Sequence, residues 1–382
     1  MILYDLIALQ PMGNAKSHGG GTFAYYVFKR MIERKISFSA FYDSRNFIDS
    51  EIYDLAINNG IRLYDVSQTS FESIVSSLNG VTVFSIQPMR YMCIAKVIGT
   101  IHDCRMFEIA RDIWALRYDT TLIERFKLVI RFVLRKYFYS RDKNKLKELL
   151  SNPNFTPTTI TYYTKYRLIY NFPKYDFHLL PVFSTPFTMS SVVCPYINKE
   201  KFFLFVSGDR WKKNVLRGVV ALDELFSCGY LPGFKVVIAG LNHISKYKYH
   251  IRNIQRFECI GYIDNNTLQD LYKRAFAFIF PSLYEGFGIP PLEAMKFGTP
   301  IIASSKSAMP EVCGDAVLYI DPFSIDDIKA KVLMLSGEQS IYKELQEKGY
   351  KRYEYMAKKS IEQLDKYLDF VILHSGHKTI NN

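Results

Sequence analysis

Residues 278–300 read Phe-Ile-Phe-Pro-Ser-Leu-Tyr-Glu285-Gly-Phe-Gly-Ile-Pro-Pro-Leu-Glu293-Ala-Met-Lys-Phe-Gly-Thr-Pro300. The apolar run Ala275–Phe280 predicts a buried strand that stops at Pro281. Gly286 and Gly288 predict a loop whose backbone can come close to a ligand. Pro291 suits the first turn of a helix, where a missing N–H is no loss, and Gly298 suits its end. A loop and a helix N-terminus then follow the carboxyl end of a strand, the place where open parallel α/β sheets take their ligands. The free N–H groups of a first turn point to an anion such as phosphate. Glu285, in the loop, is placed to accept hydrogen bonds from polyol hydroxyls. Glu293, read in the first helical turn, is placed to reach a ribose diol. The plainer reading is that Glu293 complements the helix dipole.

The same strand-then-helix pattern extends in both directions. Upstream, short apolar runs lie at 1–9, Ile36–Tyr42, Val81–Ile86, Ile94–Ile101 and Thr158–Tyr163. The first is followed by a glycine loop, 13–21, and a helical stretch from Thr22. Nearer the quoted stretch come Lys201–Val206, Phe234–Gly240 and Phe257–Ile263, and beyond it Pro300–Ala303 and Ala316–Ile320. Helical patterns at 215–227, 267–274 and 291–297 separate them. Alternating short buried strands and helices imply doubly wound parallel sheets. The expected layout is an α/β chain of two Rossmann-like domains facing across a cleft. They cover 1–190 and 200–350, with 184–195 as a linker, a C-terminal helix at 351–374 that packs back toward the first domain, and a frayed tail from Ser375.

Composition sets the outer limits. A chain of 382 residues exceeds the roughly 150 expected per domain. Hydrophobic residues at 48% against charged residues at 23% exclude a disordered chain. No apolar run approaches the roughly 18 residues that cross a bilayer. The N-terminus has neither a basic region nor a small-residue cleavage site, so the expected location is cytoplasmic. Six cysteines without a CxxC pair argue against a zinc site or a disulfide framework. No Asp-x-Asp stands after a strand to hold a divalent metal, and Asp326-Asp327 reads as a helix N-terminus. No cofactor or metal is expected.

The net charge is +12, and residues 111–147 supply +7 of it from eleven Lys/Arg and four Asp/Glu. Leu122, Phe126, Val129, Ile130, Val133 and Tyr137 fall near one helical face, with Arg125, Lys127, Arg131, Arg135 and Lys136 over the rest. Such a stretch fits an anionic membrane surface, which would make the protein peripheral at the inner face. It also fits an ordinary solvated helix with its apolar face in the first domain's core. No nucleic-acid-binding motif accompanies the charge, so nucleic acid is not an expected partner.

The spacing Glu285-x7-Glu293 around Gly-Phe-Gly-Ile-Pro resembles the signature of family 4 retaining glycosyltransferases, glycosyltransferase group 1. Pro310-Glu-Val-Cys-Gly-Asp315-Ala and Tyr319-Ile-Asp-Pro322 resemble the same family. The likeness covers about 200–350 well and the N-terminal half more loosely. It implies the GT-B fold and metal-independent transfer of a sugar, with retention, from a nucleotide-sugar donor to a hydroxyl of a glycan or lipid-linked acceptor. Bacterial surface polysaccharide synthesis is the implied setting.

It also implies roles. Arg210 and Lys213, in the basic turn Ser207-Gly-Asp-Arg-Trp-Lys-Lys-Asn214, would stabilise the leaving nucleoside diphosphate, with Lys212 an open alternative to Lys213. Gly286, Phe287, Gly288, Ile289 and Leu292 would line the donor beside Glu293, and Ile263 of Gly261-Tyr-Ile263 would hold the base. Gly20 and Gly21 would let backbone approach the donor. Glu285 would be catalytic, as would His102 of Thr100-Ile-His-Asp103, with Asp103 orienting it or touching the acceptor. Two other readings share the fold. A sugar-nucleotide epimerase typically lacks the Glu-x7-Glu string. An inactive scaffold subunit has no need of Glu285, Glu293, Arg210 and Lys213 together.

Overall fold

The computed structural model describes residues 1–10, 19–87, 95–108, 112–118, 121–175, 181–184 and 199–376. In chain order the elements begin β1 (Ile2–Asp5), α1 (Gly19–Glu33), β2 (Phe38–Tyr42), α2 (Ser50–Asn58), β3 (Leu63–Asp65), α3 (Phe71–Ser77), β4 (Thr82–Ser85) and β5 (Lys96–Ile101). Next are α4 (Arg105–Glu108), α5 (Leu122–Val133), α6 (Arg135–Leu150), β6 (Phe155–Thr159) and α7 (Tyr162–Asn171). The second series is β7 (Glu200–Phe205), α8 (Val215–Ser227), β8 (Lys235–Ala239), β9 (Phe257–Ile260), α9 (Asn265–Arg274), β10 (Ala275–Phe280), α10 (Ile289–Met295), β11 (Ile301–Ser304), α11 (Met309–Cys313), β12 (Leu318–Ile320), α12 (Ile325–Gly337) and α13 (Gln339–His374).

The strands form two sheets of six, ordered β3-β2-β1-β4-β5-β6 and β12-β11-β10-β7-β8-β9. Every pairing in both is parallel. Central strands such as β1, β4 and β11 are buried at each position, which is why they read as continuous apolar runs and not as alternations. Each sheet reverses its strand order once, at β1/β4 and at β7/β10. α8 lies against β7 through Gly218, where a Cβ would run into the Phe205 ring.

The chain divides into two compact units. One comprises 1–104, 141–188 and 357–382, the other 105–140 and 189–356. This differs from the sequence reading, which placed all of 111–147 in the first domain. Residues 105–140 belong with the second sheet because buried contacts hold them there. Arg217 donates through both terminal nitrogens to Asp112 at 2.7 and 2.8 Å. The Tyr118 hydroxyl accepts from Leu216 N at 3.0 Å, and Trp114 stacks on Tyr249.

The C-terminal helix starts earlier than the 351 read for it. α13 is one helix of 36 residues, and its part from Ala357 belongs to the first unit. There Arg30 donates twice to Asp365 at 2.9 Å, and Tyr367 stacks on Phe183 and meets Thr100 Oγ1 at 2.6 Å. Asp326 and Asp327 sit in the first turn of α12, as read. The linker read at 184–195 lies outside the described residues except for Ser184, as do the loop residues 13–18 and the tail from 377.

Candidate active site

Strand order in the second sheet turns at β7/β10, so the loops leaving these two strands emerge side by side. The loop after β7 carries Lys213 and the loop after β10 carries Glu285. Their side chains meet as an ion pair, Nζ to Oε1 2.7 Å, and are only 19% and 14% exposed. The same carboxylate oxygen accepts from Ser282 Oγ at 2.6 Å. Glu285 N donates to Ser307 Oγ at 2.8 Å, and Lys213 Nζ stands 4.9 Å from the centre of the Phe280 ring. Lys212 turns elsewhere: its carbonyl accepts from Leu283 N at 2.9 Å and its ammonium lies over Trp211. Arg210 is exposed at the start of the short turn Trp211–Lys213.

The base of this pair is built from residues the sequence reading did not single out. Asn214 takes a left-handed conformation at φ 59° and is buried. Its Nδ2 donates to the Pro281 carbonyl at 3.0 Å and to the Pro322 carbonyl at 2.6 Å, tying the loop after β7 to the loop after β10. Its Oδ1 accepts from Arg217 at 2.7 Å, and Arg217 is held by Asp112. Ser282 lay in the quoted stretch next to Pro281 and was findable as a hydroxyl beside the key carboxylate. Asp112, 105 residues from Arg217, carried no local signal.

The helix after this loop departs from expectation. α10 begins at Ile289, with Gly288 as its N-cap at φ 101°. Pro290 and Pro291 therefore fill the first turn and remove two N–H groups, and the Leu292 N–H closes that turn onto the Gly288 carbonyl, leaving the Ile289 N–H as the donor of the turn open to a ligand. The Leu292 and Phe287 side chains are buried. Glu293 is the fifth residue of the helix and not in the first turn, which removes the dipole-complement reading. Burial pushes its carboxyl above the usual range. The buried Tyr272 hydroxyl faces it, and burial and then the Glu293 charge push that phenol up. The contact is electrostatic, since the hydroxyl meets no partner at hydrogen-bond geometry. Ile263 is half-buried between β9 and α9, next to Gly261, whose carbonyl accepts from Gly240 N at the end of β8.

The remaining predicted residues are on the first unit. His102 directly follows β5, with Nε2 at 2.9 Å from the Ile86 carbonyl and its ring edge-on to Phe23 of α1. Asp103 is half-buried beside it. Gly20 and Gly21 are not in a loop, as read, but in the first turn of α1, one turn before Phe23.

Residues 195–352 match the family described as glycosyl transferases group 1. Over 81 residues the chain is 47% identical to O-antigen chain mannosyltransferase B of Escherichia coli, covering 21% of each chain. Over 135 residues it is 30% identical to O-antigen chain mannosyltransferase RfbU of Salmonella typhimurium, covering 35% of this chain and 36% of that one. The chain thus spans between a fifth and about a third of the length of these relatives. Among solved structures, a glycosyltransferase from Rickettsia africae superposes over 99% of both chains with TM-score 0.62 and 14% identity. WaaG, a glycosyltransferase involved in lipopolysaccharide biosynthesis, covers 97% of this chain and 99% of its own with TM-score 0.63 and 12% identity. Residues 195–352 thus resemble glycosyl transferases group 1, and the two parallel sheets are those of the GT-B fold.

Proposed function

We propose that this protein is a retaining glycosyltransferase of family 4 type. It would move a sugar from a nucleotide-sugar donor to a hydroxyl of a glycan or lipid-linked acceptor in bacterial surface polysaccharide synthesis. The names of the relatives favour a mannosyl donor. The observation that carries the reading is the Lys213–Glu285 pair at the β7/β10 switch point, followed by the N–H of Ile289 at the start of α10.

Breaking the anomeric bond leaves new negative charge on a nucleoside diphosphate. Lys213, Arg210 and the Ile289 N–H supply positive potential for it from the chain itself, which is our basis for proposing metal-independent transfer. Glu285 orders the sugar hydroxyls, and Glu293 takes the ribose diol. Phe287 and Gly288 shape the loop with Gly286, and Ile263 abuts the base. On the first unit, His102 and Asp103 are the residues we assign to sugar and acceptor, with the α1 turn at Gly20 and Gly21 beside them. A lipid-linked acceptor brings the enzyme to the cytoplasmic face of a membrane as a peripheral protein. Among the described residues no helix is long and apolar enough to cross one.

The test is a panel of GDP-, UDP- and dTDP-sugars offered to the full chain. Thermal stabilisation and slow release of one nucleoside diphosphate are expected, with release lost in Glu285→Gln. Conversion of a nucleotide sugar into another nucleotide sugar without acceptor would establish the epimerase instead. Stabilisation by none of the panel would overturn the reading.

A further inference from the structure

We infer that α5 is the element by which this chain lies on an anionic lipid bilayer. The inference rests on the lipid-linked acceptor reading for its biological sense and deepens it by naming the docking surface. Its physical basis is separate.

An amphipathic helix on a globular protein ordinarily turns its apolar stripe toward the core. α5 leaves most of its apolar side chains uncovered. The partly covered side chains are Arg125, Leu128, Ile130 and Phe132. The outward face carries Leu122, Ile123, Phe126 and Val133, exposed by 83, 66, 67 and 69%, and no residue of the helix is buried. Large apolar side chains grouped on an exposed face mark a docking surface. The helix is preformed for this use. Thr121 and Glu124 close a capping box at its start, Thr121 Oγ1 accepting from Glu124 N at 3.2 Å while Glu124 Oε2 accepts from Thr121 N at 3.0 Å.

Charge selects the occupant. Along 121–140 there are five basic residues and one acidic one. Lys127 and Arg131, both exposed, stand one turn apart at one edge of the apolar face, and exposed Lys136 continues the charge into α6. A helix with apolar residues on one side and cations along its edge lies in the plane of an anionic interface, apolar face down and ammonium groups at the headgroups. A second copy of the chain would set these like charges against each other, so a bilayer is the better match.

The experiment is co-sedimentation of the full chain with vesicles of phosphatidylcholine, with and without phosphatidylglycerol. Binding to the anionic vesicles alone is expected, weakening as salt rises. Phe126→Glu with Val133→Glu, and separately Lys127→Glu with Arg131→Glu, should each lower partitioning by about tenfold or more. All four side chains are exposed, so both variants should keep the native unfolding temperature. They should also keep the vesicle-free release of nucleoside diphosphate from a nucleotide sugar. Native chain that ignores anionic vesicles, or a Phe126→Glu/Val133→Glu variant that binds them as well as native, overturns the inference. So does a native dimer that this variant breaks without any vesicle binding. Failure of the native chain to bind any nucleotide sugar, with vesicle binding intact, would sink the proposed activity and leave the docking surface standing.

Discussion

Lys213 Nζ and Glu285 Oε1 stand 2.7 Å apart although their residues leave two different strands, β7 and β10, at the point where the strand order of the sheet reverses. Each group neutralises the other, and both are mostly shielded from water. A diphosphate and a sugar arriving here would each recruit one member of the pair. The two residues should therefore act as a unit. Lys213→Met and Glu285→Gln are each expected to lower kcat/KM by about 10²-fold or more. The double variant should lose little beyond the worse single one. Steady-state kinetics on a nucleotide sugar decides this, and losses that simply multiply would show two independent groups.

Behind that pair runs the chain Asp112–Arg217–Asn214 to the Pro281 and Pro322 carbonyls. Asp112 and Arg217 side chains are only 5% and 6% exposed. Arg217→Met leaves a buried carboxylate without its cation, at a cost of about 3–5 kcal/mol. For a unit of this size that is a fall in unfolding temperature on the order of 10 °C. Replacing both partners, Asp112→Leu with Arg217→Met, should recover much of the loss, because no charge is then stranded. Calorimetry of the three variants is the check. A double variant as unstable as Arg217→Met would mean that shape and not charge governs this site.

These cases show what the sequence could and could not carry. β10 and its loop were legible because a fully apolar strand, a proline and two glycines are all local signals; the strand is Ala275–Phe280, as read. β3 was missed because it has three residues and all are half-buried, so no apolar run exists to see. The strand read at Thr158–Tyr163 is in fact Phe155–Thr159. Pro157 hid its start, being tolerated on an edge strand, while Thr161 caps α7. The amphipathic pattern of α5 was visible, but its direction was not. Period gives the faces of a helix, whereas the contacts of Asp112, Trp114 and Tyr118 that tie the chain just ahead of α5 to the second unit link residues about 100 or more positions apart. The pair Pro290-Pro291 announced a helix start without fixing the turn, which is why Glu293 was placed two residues too near its beginning.

Glu293 yields a prediction with opposite signs for stability and binding. Burial raises its carboxyl pKa in the folded protein. A group raised above its unfolded value contributes stability below the unfolded pKa and loses it as pH rises through the folded one. Above that raised pKa the ionised, half-buried Glu293 is therefore a liability, and Glu293→Gln should raise the unfolding temperature of the ligand-free protein there. The gain should shrink as pH falls through the raised pKa. Hydroxyls of a ribose diol donate to the ionised form, so protons compete with the donor. Donor affinity should fall as pH drops through the raised pKa, and Glu293→Gln should weaken donor binding by roughly tenfold while flattening that profile. Calorimetric titration with the nucleotide across pH reads both effects. Unchanged affinity in the variant would remove Glu293 from the donor site.

Gly288 is the last test, because two separate constraints meet in it. Its φ of 101° is one that side chains rarely adopt. A Cβ there would also lie 2.8 Å from Met309 Sδ. The second constraint is soft, since the end of a methionine side chain can swing aside. The first is not, and costs about 1–3 kcal/mol if the backbone holds its shape. If the loop relaxes instead, Gly288 turns and the Ile289 N–H is re-aimed. Gly288→Ala is therefore expected to reduce turnover by about tenfold or more, with an unfolding temperature lowered by only a few degrees. Adding Met309→Ala, which clears the space but leaves the dihedral strain, should restore little of the activity. Full recovery in that double variant would show that steric room and not backbone conformation is what Gly288 provides.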